Sequence, residues 1–264
     1  MFRDQLEREL NIKDVPKRII SLVPSQTELL VSLGLEESIV GITKFCVHPE
    51  HLRKSKTIVG GTKKVHFDKI RALNPDIILC NKEENTLEMV LELEKIAPVH
   101  VSEIIEFEDA LILIEMYGEI FNRSQEANQL KLKLRRKKQE FKNEIPVIPC
   151  RVAYFIWREP WMVAGGNTFI NSLLKLNGWE NVFENSESRY PEIKLEELKR
   201  LKPDLILLSS EPYPFKEKHV EEIQQICKVR VELVDGEYFS WYGSRIIPAF
   251  DYFKNFKKFL SGSF

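Results

Sequence analysis

FDKIRALNPDIIL at residues 67–79 and LEELKRLKPDLIL at residues 195–207 align without a gap. Each reads as a helix, then Asn or Lys followed by Pro-Asp, then an apolar run. Proline stops the helix and sets an extended entry into the next element. Four or five consecutive apolar residues suit a strand buried on both faces, as in a parallel sheet. A weaker pair, LLVSLG at 29–34 and LLKLNG at 173–178, occurs in the same order. Two matches in one order, one set in each half of the chain, predict a duplicated α/β lobe.

Between the copies lies SQEANQLKLKLRRKKQEFKN, residues 124–143, without glycine or proline. Its apolar residues Ala127, Leu130, Leu134 and Phe141 recur at the three- and four-residue steps of one helix face. At 1.5 Å per residue such a helix runs roughly 30 Å. The expected organisation is an N-terminal α/β lobe over 1–121, a rigid connecting helix over 122–144 and a C-terminal α/β lobe over 145–264. Ile145-Pro146 and Pro149 mark the second boundary. The seven Lys or Arg residues of Lys131–Lys142 read as the exposed face of this helix, not as a nucleic-acid patch.

Strands are expected at Arg18–Leu22, Ile39–Thr43, Asp76–Cys80, Val99–Val101, Arg151–Trp157, Asp204–Leu208 and Val229–Val234. Helices are expected at Ser25–Leu33, Phe67–Leu73, Phe107–Phe121, Thr168–Leu176, Leu195–Leu201, Lys218–Ile226 and around Pro248–Leu260. Ser25 and Glu28 have the spacing of a capping box for the first of these, and Gly34 and Gly178 fit helix stops. Alternating strands and helices imply mainly parallel sheets flanked by helices. In open sheets of that kind ligands bind beyond the carboxyl ends of the strands. The loops to consider are therefore Thr43–His51, Asn81–Asn85, Trp157–Trp161, Ser209–Phe215 and Asp235–Arg245.

Composition narrows the function. The 264 residues are 43% hydrophobic and 30% charged, with a net charge of −1, which suits a folded globular chain and not one built to neutralise phosphates. No apolar run approaches the ~20 residues that span a bilayer. The N-terminal MFRDQLERELNIKD lacks the apolar core of a signal peptide, so the sequence as given reads as cytoplasmic, or as periplasmic or lipid-anchored if its N-terminus has been trimmed. Cys46, Cys80, Cys150 and Cys227 show no CxxC or disulfide-framework spacing and read as thiols. There is no GxGxxG after a strand and no GxxxxGK[ST], which leaves nucleotide chemistry without support.

The loops are rich in aromatic residues. Trp157, Trp161, Tyr213, Tyr238, Trp241 and Tyr242 lie in them, and Tyr190 is a further ligand-contact candidate; such side chains offer flat surfaces to a bulky ligand, or pack their own lobe. Arg245 could anchor an anionic group. Cys46, His48 and His51 form C-x-H-x-x-H, which matches no strong zinc spacing; His48 and His51 are metal-ligand candidates, and Cys46 or His48 an optional axial donor to a bound chelate. A Cys46–His48 nucleophile pair lacks a third orienting group. Glu84 and Glu211 follow the two repeated strands, where acids could meet ligand, metal or partner.

The opening PKRIISLVPSQTELLVSLG, the L-x-P-D-[IL]-I-L repeats, the single helix between lobes and the ending DGEYFSWYGSRI resemble substrate-binding proteins of the helical-backbone type. These receptors deliver cobalamin, iron–siderophore or haem to ABC importers. The resemblance covers nearly the whole chain after Pro16. It implies a non-catalytic monomer with no intrinsic cofactor, which takes cobalamin or another metal chelate as ligand in a cleft between lobes. It also implies limited closure, an ABC permease as partner, and docking acids, for which Glu88, Glu211 and Glu217 are candidates. The alternatives are a receptor for a bare transition metal, and a cytoplasmic enzyme or sensor that reuses the fold.

Overall fold

A computed structural model describes residues 2–144 and 149–262. Ile145-Pro146, expected at a lobe boundary, lies outside the described residues. The chain divides into two compact units. One comprises Met1–Ile104, Glu108–Arg136 and Trp241–Ile246, and the other Ile105–Phe107, Lys137–Ser240 and Ile247–Phe264. The division departs from the expected boundaries most clearly at Trp241–Ile246. That segment, assigned by sequence to the C-terminal lobe, packs with the first unit.

In the first unit a short hairpin, β1 (Phe2–Arg3) and β2 (Glu9–Leu10), precedes β3 (Ile19–Ser21) and α1 (Pro24–Ser32). There follow β4 (Ile39–Thr43), α2 (Leu52–Ser55), β5 (Thr57–Gly60), α3 (Phe67–Ala72) and β6 (Ile77–Asn81). Next come α4 (Leu87–Leu93), β7 (Val99–Ser102), α5 (Phe107–Ile120) and α6 (Ser124–Glu144), of which Phe107 and the residues of α6 from Lys137 onward fall in the second unit. The five strands of the main sheet are ordered β5-β4-β3-β6-β7, all parallel. Ile20, Ile78 and Val99 on the sheet pack with Ile70 and Leu93 of the covering helices.

In the second unit β8 (Cys150–Trp157) pairs antiparallel with β9 (Met162–Val163), and α7 (Phe169–Leu176), β10 (Trp179–Asn181) and α8 (Glu197–Leu201) follow. β11 (Leu205–Ser209), α9 (Glu217–Ile226), β12 (Arg230–Val234), α10 (Glu237–Ser240) and α11 (Ile246–Ser261) complete the chain. The sheet path β10-β8-β11-β12 is parallel and repeats β4-β3-β6-β7 of the first unit.

The duplication extends to individual hydrogen bonds. Asn74 and Lys202, just before the two Pro-Asp pairs, both adopt left-handed backbone (φ 42° and 48°). Asp76 accepts the backbone N–H of Arg18 at 2.9 Å, and Asp204 that of Arg151 at 2.8 Å. The same arginines donate to the carbonyls that end the preceding helix, Arg18 to Leu73 and Asn74, Arg151 to Leu201 and Lys202. Each arginine thus satisfies carbonyls that a helix C-terminus leaves open and ties them to the first strand of its sheet. Gly34 and Gly178 follow their helices at φ 73° and 74°, the left-handed stop that glycine adopts without steric cost.

The capping box is not what starts α1. Pro24 takes the first helical position, where its missing N–H costs nothing, so Ser25 lies inside the helix and Val23 caps without its side chain. α6 buries Ala127, Leu134 and Phe141 along one face. Gly118 of α5 lets it approach closely, since a Cβ there would lie 2.6 Å from Cβ of Ala127.

Candidate functional site: the carboxyl-end rims of the two sheets

Because β3, β4, β6 and β7 are parallel, the loops after them emerge on one edge of the first sheet. A buried polar network underlies that edge. Gln26 of α1 donates to Ser102 Oγ at 2.6 Å and to Tyr242 OH at 2.9 Å, and its carbonyl accepts from Tyr117 OH at 2.8 Å. Asn81 donates to the same Ser102 Oγ at 3.1 Å. Burial raises the pKa of both phenols, so they act as neutral hydrogen-bonding groups.

Through Tyr242 the network pins the segment Trp241–Ile246 to α1. Gly243 is at φ 86°, and a Cβ there would meet Leu29 Cβ at 3.2 Å, so a glycine is needed for the close approach. Arg245 Nε donates to Glu28 at 2.9 Å, and its guanidinium lies 5.3 Å from the Trp241 ring centroid. His48 meets Trp241 edge-on at 5.6 Å. His48, Trp241, Tyr242 and Arg245, predicted from separate loops, therefore belong to one cluster in the first unit. Tyr242 is buried in it as an anchor for the segment.

The C-x-H-x-x-H segment does not converge. Cys46 is 0% exposed, its sulfur 3.1 Å from Thr27 Oγ1 and 3.3 Å from Thr43 Oγ1. Burial raises its pKa, which makes it a core thiol and a poor nucleophile or ligand contact. His51 turns away to Glu36 at 2.6 Å. Among the described residues no three His, Cys, Asp or Glu side chains are placed to hold a metal ion.

The same turn that buries Cys46 puts its neighbour Phe45 outward, 48% exposed, a rim aromatic absent from the residues expected by sequence. Strand alternation would not have found it, since a position two residues after the buried Thr43 falls on the same face; it is the turn that sends the ring outward. On the next loop, Asn81 Oδ1 accepts from Glu83 N at 2.8 Å, and Asn85 donates to Thr62 O at 2.8 Å, which fixes Glu84 on a held turn beside the loop after β5.

The rim of the second sheet is aromatic. Trp157, at the end of β8, is 39% exposed and meets Tyr213 edge-on at 5.6 Å. Trp161 stacks on Phe215 with centroids 6.0 Å apart, and both join the core cluster, so Trp161 is chiefly a packing residue. Arg158 lies over the Trp161 ring at 5.4 Å and grips Glu222 through two bonds of 3.1 Å, a geometry that leaves it structural. Tyr238 stacks on Tyr252 at 4.7 Å, and Tyr190 is half-buried on the turn after Ser188. Glu211 accepts from Ser240 at 3.1 Å, folded into its own unit. Glu88 and Glu217 are exposed, each in the first turn of the helix after an equivalent strand, α4 after β6 and α9 after β11.

A family described as "Periplasmic binding protein" matches residues 19–228. The chain belongs to this family. An uncharacterised ABC transporter substrate-binding lipoprotein of Bacillus subtilis is 26% identical over 259 residues, covering 92% of this chain and 81% of that protein. A vitamin B12-binding protein of Yersinia pestis is 26% identical over 200 residues, 73% of this chain and 69% of the relative. Among solved structures, the periplasmic haem-binding protein of Vibrio cholerae superposes with a TM-score of 0.77 over 90% of this chain and 98% of that one. At 19% identity that likeness shows the shared fold alone. The family assignment agrees with the resemblance drawn from the repeats. The names of two of these proteins, a lipoprotein and a periplasmic protein, lend a cytoplasmic location no support. No helix among the described residues is long and apolar enough to cross a membrane.

Proposed function

We propose that this protein is the substrate-binding component of an ABC importer for a bulky, flat metal chelate of the corrinoid, haem or iron–siderophore kind. The observation that carries the reading is an exposed aromatic on each sheet's carboxyl-end rim, Phe45 on the first and Trp157 on the second. Large apolar rings left in water at the edge where parallel sheets bind ligands suit stacking on a flat ligand. His48, Glu84, Tyr190, Tyr213, Tyr238, Trp241 and Arg245 are further contacts in this reading. Named relatives that bind vitamin B12 and haem support the ligand class.

The partner is an ABC permease, met by Glu88 and Glu217. Their equivalent places in the duplicated units favour this pair over Glu211, which is turned inward. The protein acts as a monomer outside the cytoplasm, as a binder and not an enzyme. The bare-metal alternative lacks a converging ligand set among the described residues.

Cobalamin, cobinamide, haem and a ferric siderophore are the test ligands, followed by absorption and tryptophan fluorescence. At least one binds, and Phe45→Ala and Trp157→Ala each weaken it about tenfold, the equivalent of ~1.4 kcal/mol of lost stacking, with melting unchanged. Absence of binding by all four removes the proposal.

A further inference from the structure

The loops after β4 and β5 meet at one corner of the first unit. The chain turns back after β5 through Gly61-Thr62-Lys63-Lys64, closed by a Gly61 N–H to Lys64 carbonyl bond of 2.8 Å and by the antiparallel bridge of Gly60 with Val65. Gly60 is at φ 136°, and a Cβ there would lie 2.6 Å from the Lys64 carbonyl, so the tightness of this turn depends on glycine. Phe45 lies against Gly61, where a Cβ would be 3.2 Å from the Phe45 ring. Lys44 Nζ sits 4.9 Å from the centre of that ring. The turn is held from the other side as well, by Asn85 on the Thr62 carbonyl and by Lys63 Nζ on the carbonyl of Glu83.

Lys44, Lys63 and Lys64 are all exposed, and among the described residues none of them forms an ion pair with a carboxylate. Glu83 and Glu84, on the neighbouring loop, each have a partner of their own. Three exposed lysines thus share one corner of the rim, Lys44 beside the Phe45 ring and Lys63 and Lys64 on the braced turn that the ring lies against. An aromatic face suits a flat ring system, and ammonium groups beside it suit anionic groups on the periphery of that ring.

We propose that Lys44, Lys63 and Lys64, with Phe45, form a subsite for the carboxylates of a planar metal chelate, so that this protein selects acidic macrocycles over their neutral amide counterparts. The inference rests on the ligand-binding reading above and narrows it. Exposed lysine–carboxylate pairs contribute only modestly one at a time, but three acting on one ligand are enough for about a tenfold preference.

The test compares ligands that share a ring and differ in charge: dicyanocobyrinic acid against dicyanocobinamide, and iron protoporphyrin IX against its diamide. Binding is followed by quenching of tryptophan fluorescence at low salt and at about ten times that ionic strength, where screening is strong. The acid form binds at least about tenfold tighter in one pair at low salt, and this preference shrinks at high salt. The triple variant K44Q/K63Q/K64Q removes the preference by weakening binding of the acid form, while a cooperative melting transition shows that the variant still folds. Equal or tighter binding of the amide forms overturns the subsite while the ligand-binding reading stands. Retention of the preference by the triple variant overturns it too, since the selecting charges then lie elsewhere. Failure of all four compounds to bind, with cobalamin and siderophore also silent, removes the function and the subsite together.

Discussion

At the scale of single residues, His100 is the side chain whose burial has the clearest thermodynamic signature. It is fully buried on β7, both ring nitrogens lack a hydrogen-bond partner, and Tyr117 meets it edge-on at 5.2 Å. Burial pushes its pKa from 6.5 down to about 4, against the pull of Asp4 and with the help of Arg8. The folded state therefore binds fewer protons than the unfolded chain between these values. Stability is complete above the unfolded value of 6.5 and falls as the pH is lowered towards 4, by up to about 3 kcal/mol. Thermal melts from about pH 7.5 to about pH 4.5 check this: the wild type loses stability over that window, and His100→Phe flattens the contribution. A wild-type curve as flat as the variant's would refute it. The same scale explains Cys46 and Phe45. A sequence shows that a strand ends near Thr43, but the direction each following side chain takes is set by the turn, and the turn put the sulfur in and the ring out. Residue type alone favoured the cysteine.

Among elements, the arginine–aspartate clamp at each Pro-Asp repeat makes a matched pair of measurements possible. Asp76 holds the N–H groups of Lys17 and Arg18, and Asp204 that of Arg151. Asp76→Asn and Asp204→Asn should each cost about 1 kcal/mol, because each weakens charge-assisted bonds at an exposed strand entry. Chemical denaturation reads both, and one variant neutral with the other severe would show that the copies are not energetically equivalent. This repeated unit is legible in the sequence alone, since proline, aspartate and buried runs act locally. The start of α1 was less so: two start signals competed, and proline at the first helical position prevailed over the Ser25–Glu28 spacing. The hairpin at the N-terminus was invisible, because what orders it is remote. Asp4, set among charged neighbours in sequence, is buried and accepts from Val101 N, and Arg8 donates to the Val99 carbonyl, along the edge strand β7. Side chains here occupy backbone groups that an edge strand would otherwise leave open.

For the whole molecule, a ligand that binds only the folded chain must raise its melting temperature by mass action, by about 2.7 kcal/mol of stability at a hundredfold excess over Kd. A chelate that binds without raising it would also be binding unfolded protein. The duplicated topology and the family were legible in the sequence because both rest on patterns that repeat along it. The rims were legible only as loops, since which aromatic faces water depends on packing that no linear pattern records. Trp241–Ile246 lies near the C-terminus yet belongs to the first unit, held there by Gly243 against Leu29, by Tyr242 on Gln26 and by Arg245 on Glu28. No single cut can therefore release an intact first unit, and a graft joined at Arg136 would carry the host's first unit with a foreign clasp. A fragment of residues 2–136 should melt without cooperativity, and a peptide of residues 239–248 should restore the transition. The two halves, though built to one pattern, are not interchangeable parts: each is completed by chain that the other half's sequence encodes.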